Sequence, residues 1–212
     1  MNTIQTKSPL DTWISTTWEE YITAAENVEL EKTKSYYHNG EFRIEMTPVG
    51  PDQAYDNGII VILINLYSIK KNLPIKLLLN CSYRKTGIRE CQPDIPYYIG
   101  QNVQLAPQGS SVVDIDNNSP PDLVIEIANT SVTDDLGKKR LLYEEIRVKE
   151  YWVVDVSKSQ IIAFQILNER GSQRINQSQI LPELNISLIE TALKRSRQQD
   201  NTQVATWFMS QI

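Results

Sequence analysis

The chain has 212 residues, a length that suits one domain with a sizeable core, and its 41% hydrophobic and 22% charged content is ordinary for a globular protein. No apolar run reaches the ~18 residues of a membrane span, and the first residues lack the basic-then-apolar profile of an export signal. No membrane partner is therefore expected; the cytoplasm is the expected location, with Cys81 and Cys91 as free thiols. The net charge of −5 argues against tight, indiscriminate nucleic-acid binding, which needs a basic face. Local basic groups exist at Lys70 and Lys71, at Arg84, Lys85 and Arg89, and at Lys138, Lys139 and Arg140; each alone reads as a solvated face.

Residues 12–27 place Trp13, Trp18, Tyr21 and Ile22 near helical spacing and predict a helix. Residues 36–46 carry Asn39-Gly40 between alternating residues. Both types accept the positive φ of a tight turn, so a hairpin is expected. Pro48, Gly50 and Pro51 then break the chain. Residues 52–71 are a run of about 20 residues, too long for a strand and suited to a buried helix. Residues 74–81 and 93–99 read as strands separated by a basic turn, SYRKTGIRE, and residues 100–119 as a polar loop. Residues 121–127 are the expected central strand. Thr133 or Asp134 caps a helix running to Arg147, because a short oxygen-bearing side chain satisfies the free N–H groups. Residues 149–155 and 160–166 are further strands, and residues 184–212 are helix with a polar interruption at 197–202. This order predicts an α/β domain, a central mixed β-sheet flanked by helices. The near-continuous apolar run around VIEI needs cover on both faces.

One residue in that run is out of place. Glu126 lies among Leu123, Val124, Ile125 and Ile127, and a carboxylate there is costly unless a metal or a cation pairs with it. Asp122 shares its strand face, but four residues at ~3.3 Å each put the two about 13 Å apart, too far for one small cation. Asp122 is better explained as a strand-start residue after two prolines. The partner for Glu126 must come from a neighbouring strand, and Asp94, in CQPDIPYYIG, has the right setting. On the following helix Asp135, Lys139 and Tyr143 recur every four residues and line one face, with a salt-bridged surface row as the plain alternative. Two strand acids and a nearby lysine are the ingredients of a metal-dependent phosphodiesterase site. His38 reads as a packing or hydrogen-bonding residue and Trp152 as core. No GxSxG, Walker loop or CxxC pair is present, so serine-nucleophile, nucleotide-hydrolysing and structural-zinc chemistries lack support.

The run PDLVIEIANTS, the D-x-x-x-K-x-x-x-Y spacing of Asp135, Lys139 and Tyr143, and VKEYWVVD together resemble the Uma family of restriction-endonuclease-like proteins, abundant in cyanobacteria, within the PD-(D/E)XK nuclease superfamily. NGEFRIEMTPVG and the QPD ending at Asp94 follow the same order of landmarks, and the resemblance spans roughly residues 16–188. It implies a restriction-endonuclease-like domain over residues 1–188, followed by a C-terminal helical extension over residues 189–212. It also implies a Mg²⁺ or Mn²⁺ site in which Asp94 is the first acid, Glu126 the second and the Ile127 carbonyl a further ligand. Lys139 is then the catalytic lysine, moved from the strand to the helix. Oxygen donors suit such ions. DNA is the implied partner, and a homodimer is expected because many enzymes of this fold act as dimers, with the C-terminal helix as an interface. Two departures stand out. The family often has a glutamate before the NG turn, where Tyr36 stands here, and a histidine after the proline-rich break, where Asp56 stands here. Glu41 or Glu45, which share a face of the hairpin, are candidate replacements for the glutamate. The two readings left by the sequence are a metal-dependent nuclease acting on DNA and a catalytically inactive nuclease-like binding module.

Overall fold

The computed structural model describes residues 11–26, 33–46, 50–168 and 171–212. The chain opens with β1 (Ile14–Ser15) and α1 (Trp18–Ala25), so the helix expected over 12–27 starts only at Trp18. Thr17 sets that start with a capping box. Its side chain accepts the Glu20 N–H at 3.2 Å while Glu20 accepts the Thr17 N–H at 3.0 Å. Asn27, the end of the expected helix, lies outside the described residues. The hairpin β2 (Thr33–His38) and β3 (Glu41–Met46) turns at Asn39 (φ 52°) and Gly40 (φ 78°), the left-handed pair that a two-residue turn requires.

Helix α2 (Pro51–Lys70) begins with Pro51 in its first turn, where the missing N–H costs nothing. It buries Ile59, Ile60, Leu63, Ile64 and Tyr67. Next come β4 (Ile75–Leu77), β5 (Tyr83–Lys85), β6 (Arg89–Cys91) and β7 (Ile95–Ile99). The supposed basic turn is therefore itself a hairpin, of β5 against β6. The supposed loop over 100–119 holds a 3₁₀ helix (Gly100–Leu105) and β8 (Val113–Asp114). The central strand is β9 (Leu123–Ala128), and α3 (Val132–Asp134), a π-helical turn (Asp135–Lys139) and α4 (Arg140–Ile146) carry the chain over to β10 (Glu150–Asp155). The expected single helix is thus broken at Gly137, whose φ −100° and ψ −107° leave the helical region. β11 (Gln160–Ile166), β12 (Ser172–Ile175), α5 (Ile186–Ser196) and α6 (Asn201–Met209) complete the fold.

These strands form two six-stranded sheets. The first runs β1-β3-β2-β6-β5-β8 and the second β12-β11-β10-β9-β7-β4. In the second, β9 and β10 are parallel, as a helical crossover demands, and the other pairs are antiparallel. Both faces of its centre are covered. Leu123, Ile125, Ile127, Trp152 and Val154 pack with α2, α5 and α6 through Leu63, Leu193, Val204 and Phe208. Val124, Ala128, Tyr151 and Val153 pack on the other side with Leu142 and Tyr143 of α4 and with Tyr36 and Tyr83 of the first sheet. Residues 189–212 thus contribute side chains to the main core. Cys81 and Cys91 are unbridged, and among the described residues no helix is long and apolar enough to cross a membrane.

Candidate active site

Glu126 sits on the face of β9 shared with Val124 and Ala128, under the seam between the two sheets. The antiparallel register of β7 on β9 pairs Ile95 with Ile125, so the next step outward sets Asp94 opposite Glu126 on that same face. The contacts agree. The Asp94 N–H donates to Glu126 Oε2 at 3.2 Å, and the Ile127 N–H donates to Asp94 Oδ2 at 2.8 Å. Two acids 32 positions apart in sequence are thereby held side by side.

A cleft of about 360 Å³ opens above them, lined among others by Lys34, Glu45, Gln53, Asn57, Asp135 and Lys139, with Ile127 in the wall. The π-helical turn brings Asp135 and Lys139 inward, both almost wholly buried. The Lys139 ammonium lies 2.7 Å from Glu45, 2.9 Å from Asp135 and 4.3 Å from the centre of the Tyr36 ring. Lys139 does not contact Asp94. That carboxylate is instead bonded by Lys34, from β2. Tyr143, one turn beyond Lys139, donates its hydroxyl to Glu126 Oε1 at 2.6 Å and fixes the carboxyl group.

Burial and mutual charge set the protonation of this group. Burial pushes the Glu126 carboxyl well above the ordinary carboxylate value, against the pull of Lys139 and with Asp94 adding to the rise. Burial works on Asp94 in the same sense, but Lys34 and the Ile127 N–H outweigh it and hold that carboxyl low. Burial alone would lower Lys139; the carboxylates of Asp135, Glu126 and Glu45 overcome it and keep the ammonium charged. The pair of acids therefore has unequal members, one held towards the ionised form and one leaning to the protonated form.

Of the two hairpin acids, Glu45 lines the cleft while Glu41 pairs with Lys138 at 2.5 Å and does not line it. Tyr36 supplies a ring under Lys139 and donates its hydroxyl to the Gln92 carbonyl at 3.1 Å. Asp56 is turned away, fully buried and bonded by Arg197, and the next residue, Asn57, faces the cleft. Asp122 has the structural role expected of it, accepting the Ile99 N–H at 2.7 Å and the Asn102 amide at 2.6 Å. His38, buried, lies 3.3 Å from Glu145, well outside the cleft. Lys34 and Gln53 escaped the sequence reading. The register of a two-residue turn at Asn39-Gly40 pairs 38 with 41 and hence 34 with 45, so choosing Glu45 was enough to find Lys34 beside it.

The donor set can be tested against a metal ion. Two carboxylates and a main-chain carbonyl are hard oxygen donors, and one or two carboxylates completed by waters is the usual Mg²⁺ arrangement. Among the described residues no three His, Cys, Asp or Glu side chains gather as a metal cage. The Ile127 carbonyl accepts the Gln53 amide at 2.8 Å and keeps a second lone pair.

A family model, Uma2, described as "Putative restriction endonuclease", matches residues 18–198. The chain belongs to the Uma2 family. Among solved structures, a putative nuclease of the DUF820 group from Anabaena variabilis ATCC 29413 superposes with a TM-score of 0.52 at 16% identity, covering 91% of this chain and 98% of that one. That likeness carries the nuclease-like fold. No curated protein matches the chain. Glu126 and Asp94 stand within the span of the Uma2 match, as do all the cleft residues named above.

Proposed function

We propose that this protein is a metal-dependent nuclease that hydrolyses phosphodiester bonds of DNA. The observation that carries the reading is the cross-strand pairing of Asp94 with Glu126 on the floor of a cleft whose wall holds a buried, charged Lys139. Asp94, Glu126 and the Ile127 carbonyl would hold a Mg²⁺ or Mn²⁺ ion. Such an ion, when bound, supplies Lewis acidity and lowers the pKa of water. The chain's own residues do the remainder. Lys139 offers fixed positive charge where negative charge develops on a phosphate, and Glu45 and Asp135 hold its ammonium in place. Tyr143 orients Glu126, and Gln53 steadies the Ile127 carbonyl.

The test is nicking of supercoiled plasmid by the purified protein with Mg²⁺, Mn²⁺ or EDTA. Cleavage should need the metal and vanish in Glu126→Gln, and Lys139→Ala should lose about 10²–10³ in rate, the cost of one preorganised charge-stabilising donor. Cleavage that survives EDTA, or that Glu126→Gln leaves at the normal rate, refutes the assignment. One observation favours a second reading, a nuclease-like module that binds without cutting. Both cleft lysines spend their charge on carboxylates of the chain itself. Metal-dependent retention of labelled DNA with no cleavage of DNA or RNA would select it.

A further inference from the structure

The cleft holds two lysines, and the chemistry above uses only Lys139. Lys34 comes from the opposite sheet, and its ammonium reaches across to Asp94 Oδ1. The two side chains are 13% and 15% exposed, so water and salt screen their attraction only in part. The other oxygen of Asp94, Oδ2, already accepts the Ile127 N–H. Oδ1 carries no main-chain bond, and Lys34 stands on it. Lys139 cannot substitute, being held between Glu45 and Asp135.

We propose that Lys34 is a built-in competitor for the divalent cation, holding Asp94 in the metal-free protein and moving aside when a dication binds. The inference rests on the metal-dependent nuclease reading and adds to it what sets the metal affinity. An ammonium and a dication at contact distance from one carboxylate oxygen repel each other strongly, and a partly enclosed cleft screens that repulsion poorly. In exchange, the tethered charge keeps four carboxylates, Glu45, Asp94, Glu126 and Asp135, from facing Lys139 alone. Lys34 thus steadies the empty cleft and opposes metal entry through one contact.

Calorimetry with Ca²⁺, which takes the same oxygen donors, tests this on the full chain. Lys34→Met should bind Ca²⁺ about tenfold more tightly than the wild type, a change of ~1.4 kcal/mol, and Lys34→Arg should stay within about threefold. Equal or weaker binding by Lys34→Met overturns the proposal. A second measurement needs no variant: acetic anhydride labelling of the wild type, read by mass spectrometry. Saturating Ca²⁺ should free Lys34 and raise its acetylation severalfold while Lys139 stays protected; unchanged labelling of Lys34 also overturns the proposal. Equal Ca²⁺ binding by wild type and Lys34→Met removes the competitor and leaves the nuclease reading intact. No binding of Ca²⁺ or Mn²⁺ by either protein removes both.

Discussion

A carboxyl group enclosed as tightly as Glu126 works against its own ionisation, and the fold bears that cost at neutral pH. Its folded-state pKa is raised, so its contribution is fully present below the unfolded value and is lost as pH rises through the folded one. Glu126→Gln keeps the shape and removes the charge. The metal-free variant at pH 8 should therefore melt above the wild type by ~2–4 °C, the shift that ~1 kcal/mol gives a chain of this size. Millimolar Mg²⁺ or Mn²⁺ should raise the wild-type melting temperature and leave the variant's unmoved. A variant that melts lower at pH 8 would mean that Lys34 and Lys139 stabilise the carboxylate more than burial opposes it. His38 has the opposite slope. Burial lowers its pKa, against the attraction of Glu145 and with Arg89 assisting, so the folded protein holds a neutral imidazole while the unfolded chain takes up a proton below about pH 6.5. Stability is then lost as pH falls from that value towards the folded one, and His38→Asn should flatten the fall of melting temperature between pH 7.5 and about pH 5. The raised carboxyls of Glu90, Asp135 and Glu150 tilt the other way in this window, so the difference between variant and wild type carries the sign. An acid limb identical in both proteins would contradict the assignment.

Among elements, α2 and the end of α5 share one buried ion pair beside their apolar packing. Asp56, fully buried, accepts two bonds from the Arg197 guanidinium at 2.7 and 2.6 Å, and the same group donates to the Val156 carbonyl at 3.1 Å and to Ser159 at 3.1 Å. Arg197→Met leaves a buried carboxylate alone and should cost about 3–5 kcal/mol in chemical denaturation, with Asp56→Leu/Arg197→Met recovering most of it. A loss under ~1 kcal/mol in the single variant would show that water reaches Asp56. The pair was invisible in sequence because 141 positions separate its members and the polar stretch around 197–202 read only as an interruption. The same limit governs the sheets. The second sheet was legible at its centre, where LVIEIA and EYWVVD are apolar runs with a helix between them. The cap expected at Thr133 or Asp134 is not formed: the helix starts at Val132, after Ser131, with no side-chain cap bond. The first was legible only at its Asn39-Gly40 hairpin. Its other strands, β1, β5, β6 and β8, have two or three residues each, too short for an alternation to register. Asp94 and Glu126 stood out because an acid within apolar strands has few structural excuses. Lys34 did not, because a lysine on a short hairpin strand is ordinary until a second sheet is known to face it.

At the scale of the whole molecule, charge sets how a phosphate chain can approach. The protein carries 26 acidic against 21 basic side chains, and the cleft repeats the bias with Glu45, Asp94, Glu126 and Asp135 against Lys34 and Lys139. A polyanion entering the metal-free cleft meets carboxylates first, and each lysine there already has a partner. A divalent ion held by Asp94 and Glu126 would offset two of those negative charges, with few cationic side chains left to release counterions from DNA. Fluorescence anisotropy on a short duplex at about 0.15 M salt should therefore show dissociation constants weaker than about 10⁻⁴ M in EDTA, below the usual range for non-specific binders. Ca²⁺ should strengthen binding, and the plot of log affinity against log salt should be shallow, no steeper than about −3, because only two or three phosphates are neutralised. Tight binding in EDTA with a steep salt slope would place the DNA on a surface elsewhere and would separate recognition from the cleft.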